Sequence, residues 1–146
     1  MPLRLDACQA NRPAMDLLLR LDRRSDGYRL EHSLADLVRL RVSLLNGCPY
    51  CIDLHTTRAR RAGEMDARID LLPAWRDSAL YTDRERAALA WAEAVTRLAD
   101  HVPDAAWDAV RPHFSDRELV DLTLLVNAIN ALNRFGIAFR RAPAWR

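Results

Sequence analysis

The chain has no lysine, because all 22 of its basic residues are arginine, and Schiff-base chemistry through a lysine amine is thereby excluded. Its four glycines, at 27, 47, 63 and 136, are scattered, so no phosphate-cradling glycine loop can be assembled from them. Charge of one sign is also lacking. With 22 basic against 20 acidic residues the formal charge is +2, which leaves no electrostatic footprint for nucleic acid. The densest basic run, Arg58-Ala59-Arg60-Arg61, reads as a solvated helix face. Arginine and aspartate interrupt every apolar run, so neither a membrane span nor a secretory leader is expected. The expected compartment is the cytoplasm, where thiols stay reduced and a cysteine pair serves catalysis, redox exchange or metal binding in preference to stapling a fold.

At 146 residues, 50% apolar and 29% charged, residues 1–146 read as one globular domain. Apolar residues recur at three and four, and strand-like alternation is scarce, which predicts an all-α fold of about six or seven helices. Residues 1–30 read as an extension holding one short helix, with Pro13 at its start, Ala14 to Arg24 as its body, and Ser25-Asp26-Gly27 as its stop. A second helix is expected from about Ser33 to Asn46, broken by Gly47. A third should open at Pro49 and run to Gly63, and a short one over Asp66 to Leu72 should stop at Pro73. Thr82-Asp83-Arg84-Glu85 and Ser115-Asp116-Arg117-Glu118 both read as capping boxes that start longer helices. A shorter helix around Trp107 fits between them. Asp36-Leu37-Val38-Arg39-Leu40 faintly echoes Glu118-Leu119-Val120-Asp121-Leu122, a hint of two related helical halves.

The chemistry concentrates in "NGCPYCIDLH", Asn46 to His55, which holds two of the three cysteines. If Pro49 opens a helix, Cys48 is its N-cap, Cys51 lies three residues on, and His55 four beyond that, all on one face. The helix end favours thiolate at its N-terminal cysteine, and a histidine one turn away can take a proton from the other. Helix position alone favours Cys48 as the more acidic thiol. Spacing of three in a first turn puts the two Cα atoms about 5 to 6 Å apart, a distance that a disulfide tolerates. Such a pair suits attack on a peroxide or a disulfide, with the second thiol trapping the sulfenic acid of the first.

Two other readings of the same residues stay open at this level. A structural zinc site wants four ligands, whereas the chain has no second CxxC or HxxxH and Asp53 points to another side of the helix. The cysteines can also be small buried apolar residues with a capping histidine. Covalent haem attachment fails, because Ile52 stands where the histidine would have to follow the second cysteine.

The run from Asp36 through Gly63, "DLVRLRVSLLNGCPYCIDLHTTRARRAG", resembles the core motif of the AhpD-like alkylhydroperoxidase family within the carboxymuconolactone decarboxylase superfamily: an acid, eleven residues, then CxxCxxxH. The likeness continues through "AWRDSALYTDRERAALAWAEAVT" and "INALNRFGIAFR" and so covers most of the chain beyond about residue 30. The resemblance implies an all-helical domain assembled as trimers or hexamers that reduces hydroperoxides through a cycling disulfide. By position it makes Cys51 the cysteine that attacks peroxide, His55 the base that helps deprotonate it, and Cys48 the more accessible resolving cysteine, reopened by a dithiol protein or small thiol. The family's acid, usually glutamate, falls on Asp36, as a proton relay to His55. Asp36 is one methylene shorter and also fits a capping box with Ser33. No metal or organic cofactor is implied. Because the superfamily includes decarboxylases of lactone acids, a related non-redox enzyme remains an alternative, as does a non-catalytic redox-sensing or zinc-holding oligomer.

Outside the motif, Cys8 is expected in a loose N-terminal segment as a bystander. His32, His101 and His113 have no partner at catalytic spacing, and Trp75, Trp91, Trp107 and Trp145 read as core or interface anchors.

Overall fold

Helical spacing of apolar residues dominates the computed structural model, which describes residues 1–24, 29–99 and 101–143. In chain order the α-helices are α1 (Ala7–Ala10), α2 (Arg12–Arg24), α3 (His32–Asn46), α4 (Pro49–Arg61), α5 (Asp66–Asp70), α6 (Asp83–Arg97), α7 (Asp104–Val110) and α8 (Asp116–Ala138). Short 3-10 segments, Leu72–Asp77 and Arg111–His113, follow α5 and α7. The fold is all-α, and no strand occurs among the described residues, only an isolated bridge between Ala99 and His101. With α1, the described residues hold eight α-helices where six or seven are expected. The expected stop at Ser25-Asp26-Gly27 and the anchor Trp145 lie outside the described residues.

α3 is the centre of the domain because it is apolar on two faces. Leu34, Ala35, Val38 and Val42 join residues of α6, α7 and α8, among them Ala88, Ala92, Val110, Leu122 and Val126. Leu37 and Leu40 turn the other way, toward Ala59 of α4, Ile69 of α5, and Leu72, Trp75 and Tyr81. Each fully buried leucine contributes roughly 1.5–3 kcal/mol relative to exposure, so a helix buried on both sides fixes the order of its neighbours. At the far end of α3 a polar network ties it to α8. Asn46 donates to the side-chain oxygens of Asn130 and Asn133, both at 2.9 Å, and Asn133 donates to Ser43 Oγ at 3.1 Å.

Both capping boxes form, at Thr82 with Glu85 and at Ser115 with Glu118. Two expected boundaries do not. Pro73 does not terminate a helix; α5 has already ended at Asp70, and the proline sits in the first turn of Leu72–Asp77, where its missing N–H costs nothing. The Ser33–Asp36 box is absent because α3 opens at His32, leaving Ser33 inside the first turn. Glu31 is the N-cap without a side-chain bond, and its carboxylate pairs with Arg84 at 2.9 Å instead.

Candidate active site

Gly47 sets the geometry of the cysteine motif. It closes α3 at φ +68°, a left-handed conformation that glycine adopts without penalty. The Gly47 N–H donates to the Leu44 carbonyl and the Cys48 N–H to the Ser43 carbonyl, the paired bonds of a Schellman cap. The chain thus turns within two residues and restarts as α4, with Cys48 as N-cap and Pro49 in the first turn. Cys48 Sγ accepts the Cys51 N–H at 3.3 Å. The two cysteines are joined in a disulfide, their Cα atoms 5.3 Å apart. Cys51, His55 and Ala59 form the buried stripe of α4, so the histidine lies one turn from the second cysteine on the same face.

A cavity of about 300 Å³ opens onto this stripe. Cys51 and His55 line it, with Tyr50 and Leu54, while α8 supplies Ile129, Phe135 and Gly136 and α2 supplies Met15 and Leu19. Cys48 is not on the cavity wall and is fully buried, whereas Cys51 keeps 4% exposure. The greater accessibility expected for Cys48 is therefore reversed: α8 passes directly over the N-cap position, and Gly136 lies against its sulfur.

The expectation of a loose segment around Cys8 also fails. Arg4 donates its backbone N–H to the Phe139 carbonyl at 2.9 Å, and the Asp6 carboxylate caps α1 by accepting the Gln9 N–H at 3.0 Å. The pinned segment covers the cavity, and Cys8, a free thiol, lines the same cavity as Cys51.

His55 is 2% exposed and its Nδ1 has no hydrogen-bond partner among the described residues. Burial, reinforced by the positive charges of Arg39 and Arg58, pushes its pKa down to about 3, so the ring is neutral while the disulfide is closed. With the disulfide closed, no carboxylate among the described residues forms an ion pair with it or is among the causes of its shift. Reduction to a Cys51 thiolate would add a negative charge one turn away and raise the histidine's basicity.

Asp36 is not joined to His55. Its carboxylate accepts from Arg39 at 3.3 Å, and it lines a separate hollow with His32, Ser33 and Gly63. Burial raises its pKa against the opposing pull of Arg39 and Arg58. Arg39, only 5% exposed, is the link that the motif reading missed: its Nε donates to Asp22 Oδ1 at 3.1 Å and another nitrogen donates to the Asp22 carbonyl, clamping α2 onto α3. Its signal in the sequence is its place three residues after Asp36, on the same helix face. Gly136 is the other missed residue, signalled by a glycine inside an otherwise unbroken helical pattern.

Among the described residues, no three His, Cys, Asp or Glu side chains are grouped so as to hold a metal ion. No helix among them is long and apolar enough to cross a membrane. Of the other singled-out residues, Trp75 is buried in the core, and Trp91 packs against Trp107 with ring centroids 6.0 Å apart, Trp107 being 45% exposed. His32, His101 and His113 do not line the cavity at Cys51.

Residues 14–94, more than half of the chain, match the carboxymuconolactone decarboxylase family. The uncharacterized protein YdfG of Bacillus subtilis is 37% identical over 131 residues, 89% of each chain. A protein of unknown function from Agrobacterium tumefaciens, carrying the provisional designation antioxidant defence protein AhpD, superposes with a TM-score of 0.96 at 36% identity, over 99% of this chain and 100% of its own. The fold alone is shared with the debrominase Bmp8, at a TM-score of 0.80 and 21% identity over 88% of this chain and 69% of that one. Together with the paired cysteines at the head of α4, these likenesses place the chain in the carboxymuconolactone decarboxylase family as an AhpD-like member.

Proposed function

We propose that the protein is a thiol-dependent hydroperoxide reductase in which Cys51 is the nucleophile, His55 its base and Cys48 the resolving cysteine. The observation that carries this reading is that Cys51, and not Cys48, lines the cavity, one turn from a buried neutral histidine. In the reduced protein His55 takes the Cys51 proton, and the positive charges of Arg39 and Arg58 favour the thiolate. The thiolate attacks the terminal oxygen of R–O–O–H. The O–O bond breaks, its electron pair leaves with the alkoxide, which takes the proton from His55 as R–OH, and Cys51 becomes a sulfenic acid. Cys48 then displaces hydroxide, released as water, and closes the disulfide. A dithiol protein or small thiol supplies two electrons and two protons to reopen it.

Asp36 has no place in this proton path; it holds Arg39, whose charge acts on His55. The setting we propose is the cytoplasm and a homo-oligomer, trimer or hexamer, in line with the AhpD-like family, and a monomer by light scattering at micromolar concentration would count against the assembly. The reading as a whole is tested by dithiol-supported consumption of an organic hydroperoxide. Cys51→Ser should abolish it, and undiminished consumption in that variant would remove the mechanism.

A further inference from the structure

The cavity above Cys51 is apolar in its walls and cationic at its rim. Leu54, Ile129, Leu132, Phe135 and Phe139 supply the walls. Three guanidinium groups reach it from three separate elements: Arg23 from α2, Arg58 from α4, and Arg141 from just beyond α8. Several arginines elsewhere are paired with carboxylates, Arg39 with Asp22, Arg41 with Glu93, Arg68 with Glu64 and Glu85, and Arg84 with Glu31 and Glu118. Arg23, Arg58 and Arg141 have no carboxylate partner among the described residues. The acids that do line the cavity are both engaged, Asp6 in capping α1 and Asp22 with Arg39. Three guanidinium groups thus stand against the Asp6 carboxylate, which keeps its charge while capping α1, and Asp36, which also feels Arg58; the rim is net positive, and the field of Arg58 reaches His55.

Arg141 owes its position to an unusual turn. Two residues beyond the end of α8, Arg140 stands at φ +57°, the left-handed region where glycine is the usual residue. The Arg140 N–H donates to the Ile137 carbonyl, and the Arg141 N–H donates to the Gly136 carbonyl at 2.9 Å. The turn folds Arg141 back so that its guanidinium stacks 3.9 Å from the centroid of the Tyr50 ring, between the two cysteines in sequence. A stacked guanidinium keeps its in-plane N–H donors free for a planar anion.

We infer that the site selects a compact hydroperoxide bearing a carboxylate. The apolar body lies against the cavity walls with its peroxide toward Cys51, and the carboxylate is held at the rim by Arg58 and Arg141, with Arg23 adding charge. A volume of about 300 Å³ stands at the small end of ligand pockets, which span roughly 300–1,000 Å³, and so favours a compact ring or branched acid over a long acyl chain. This selection rests on the peroxidase reading for its reaction, but the anion site itself can be tested without turnover.

The probes are 4-isopropylbenzoate and its uncharged counterpart 4-isopropylbenzyl alcohol, titrated calorimetrically into the full-length oxidised protein. The benzoate should bind about tenfold more tightly or better at low ionic strength, a margin typical of a hydrogen bond between charged groups. Added salt should shrink that margin, and Arg58→Gln with Arg141→Gln should remove it. Equal binding of acid and alcohol, or acid binding that ignores both salt and the two substitutions, overturns the inference. The matching hydroperoxides, cumene hydroperoxide with and without a para carboxylate, are then compared by kcat/KM. If both are reduced equally well and the benzoate has no advantage, the selection fails and the peroxidase stands. If the benzoate is preferred through the arginines while neither hydroperoxide oxidises Cys51, the anion site stands and the peroxidase fails.

Discussion

A Cβ on Gly136 would lie 2.8 Å from Cys48 Sγ and 3.5 Å from Cys51 Sγ. The first distance is closer than a carbon and a sulfur can pack, so α8 clears the disulfide only because this residue has no side chain. Gly136→Ala sets two effects against each other: alanine favours the helix interior by about 1 kcal/mol, while overpacking costs typically 1–3 kcal/mol. In the oxidised protein the bridged sulfur has no free rotation and the clash should win. In the reduced protein the Cys48 thiol can rotate away. Gly136→Ala should therefore lower the Tm of the oxidised form more than that of the reduced form. Equal shifts in the two would show that α8 moves freely enough to absorb the methyl group.

Cys48→Ser separates the two halves of the proposed cycle. Cys51 should still consume one equivalent of hydroperoxide, since of the two paired cysteines it is the one on the cavity wall, but the sulfenic acid would have lost its resolving partner. Trapping with dimedone followed by peptide mapping should label Cys51 in this variant and leave wild type unlabelled. Label on Cys8 instead, which shares the cavity, would reassign the nucleophile.

What could be read from the residues was whatever is local. The capping boxes at Thr82 and Ser115, the glycine stop at 47 and the common face of Cys48, Cys51 and His55 each depend on neighbours within one turn. Pro73 misled because a proline that ends an α-helix and one that opens a 3-10 turn look alike in sequence. The cavity was hidden because its roof depends on contacts such as Arg4 with Phe139, more than 130 residues apart, which no periodicity records. Asp36 lay between these cases: its spacing from the cysteines was legible, but its partner was decided by Arg39 standing closer than His55.

The depressed pKa of His55 is also a stability statement. Unfolded, the ring takes up a proton below about pH 6.5; folded, burial and then Arg39 and Arg58 delay this to about pH 3. The unfolded state binds more protons throughout that window. The stability contributed by the neutral ring is complete above the window and is lost as pH falls through it, by at most about 1.4 kcal/mol per pH unit. Asp36, with its raised pKa, works in the opposite sense, binding a proton in the folded state first and adding stability as pH falls. Urea unfolding of the oxidised protein at roughly pH 6, 5 and 4 should show the fall, and His55→Gln should flatten it. A slope unchanged by the substitution would mean that His55 is already charged in the folded protein.

Asp36→Asn discriminates between a proton relay and a structural anchor. A carboxylate that passes protons to the catalytic base contributes about 10²- to 10⁴-fold to rate, as general acid–base groups do. The Asp36 carboxylate instead accepts from Arg39 at 3.3 Å, a residue already held by Asp22, and among the described residues no hydrogen bond connects it to His55. Asparagine keeps an oxygen that can still accept from Arg39, so the clamp of α2 on α3 should survive. The charge lost is one that offsets Arg39, so its removal leaves the guanidinium's field less compensated at the site, favouring thiolate at Cys51 while holding His55 neutral. The two consequences oppose each other in rate. We therefore expect kcat/KM for an organic hydroperoxide to change by less than about tenfold in Asp36→Asn, against a loss of about a hundredfold or more in His55→Ala. Comparable losses in the two variants would restore Asp36 to the proton path and require a rearrangement of Arg39 when the disulfide opens.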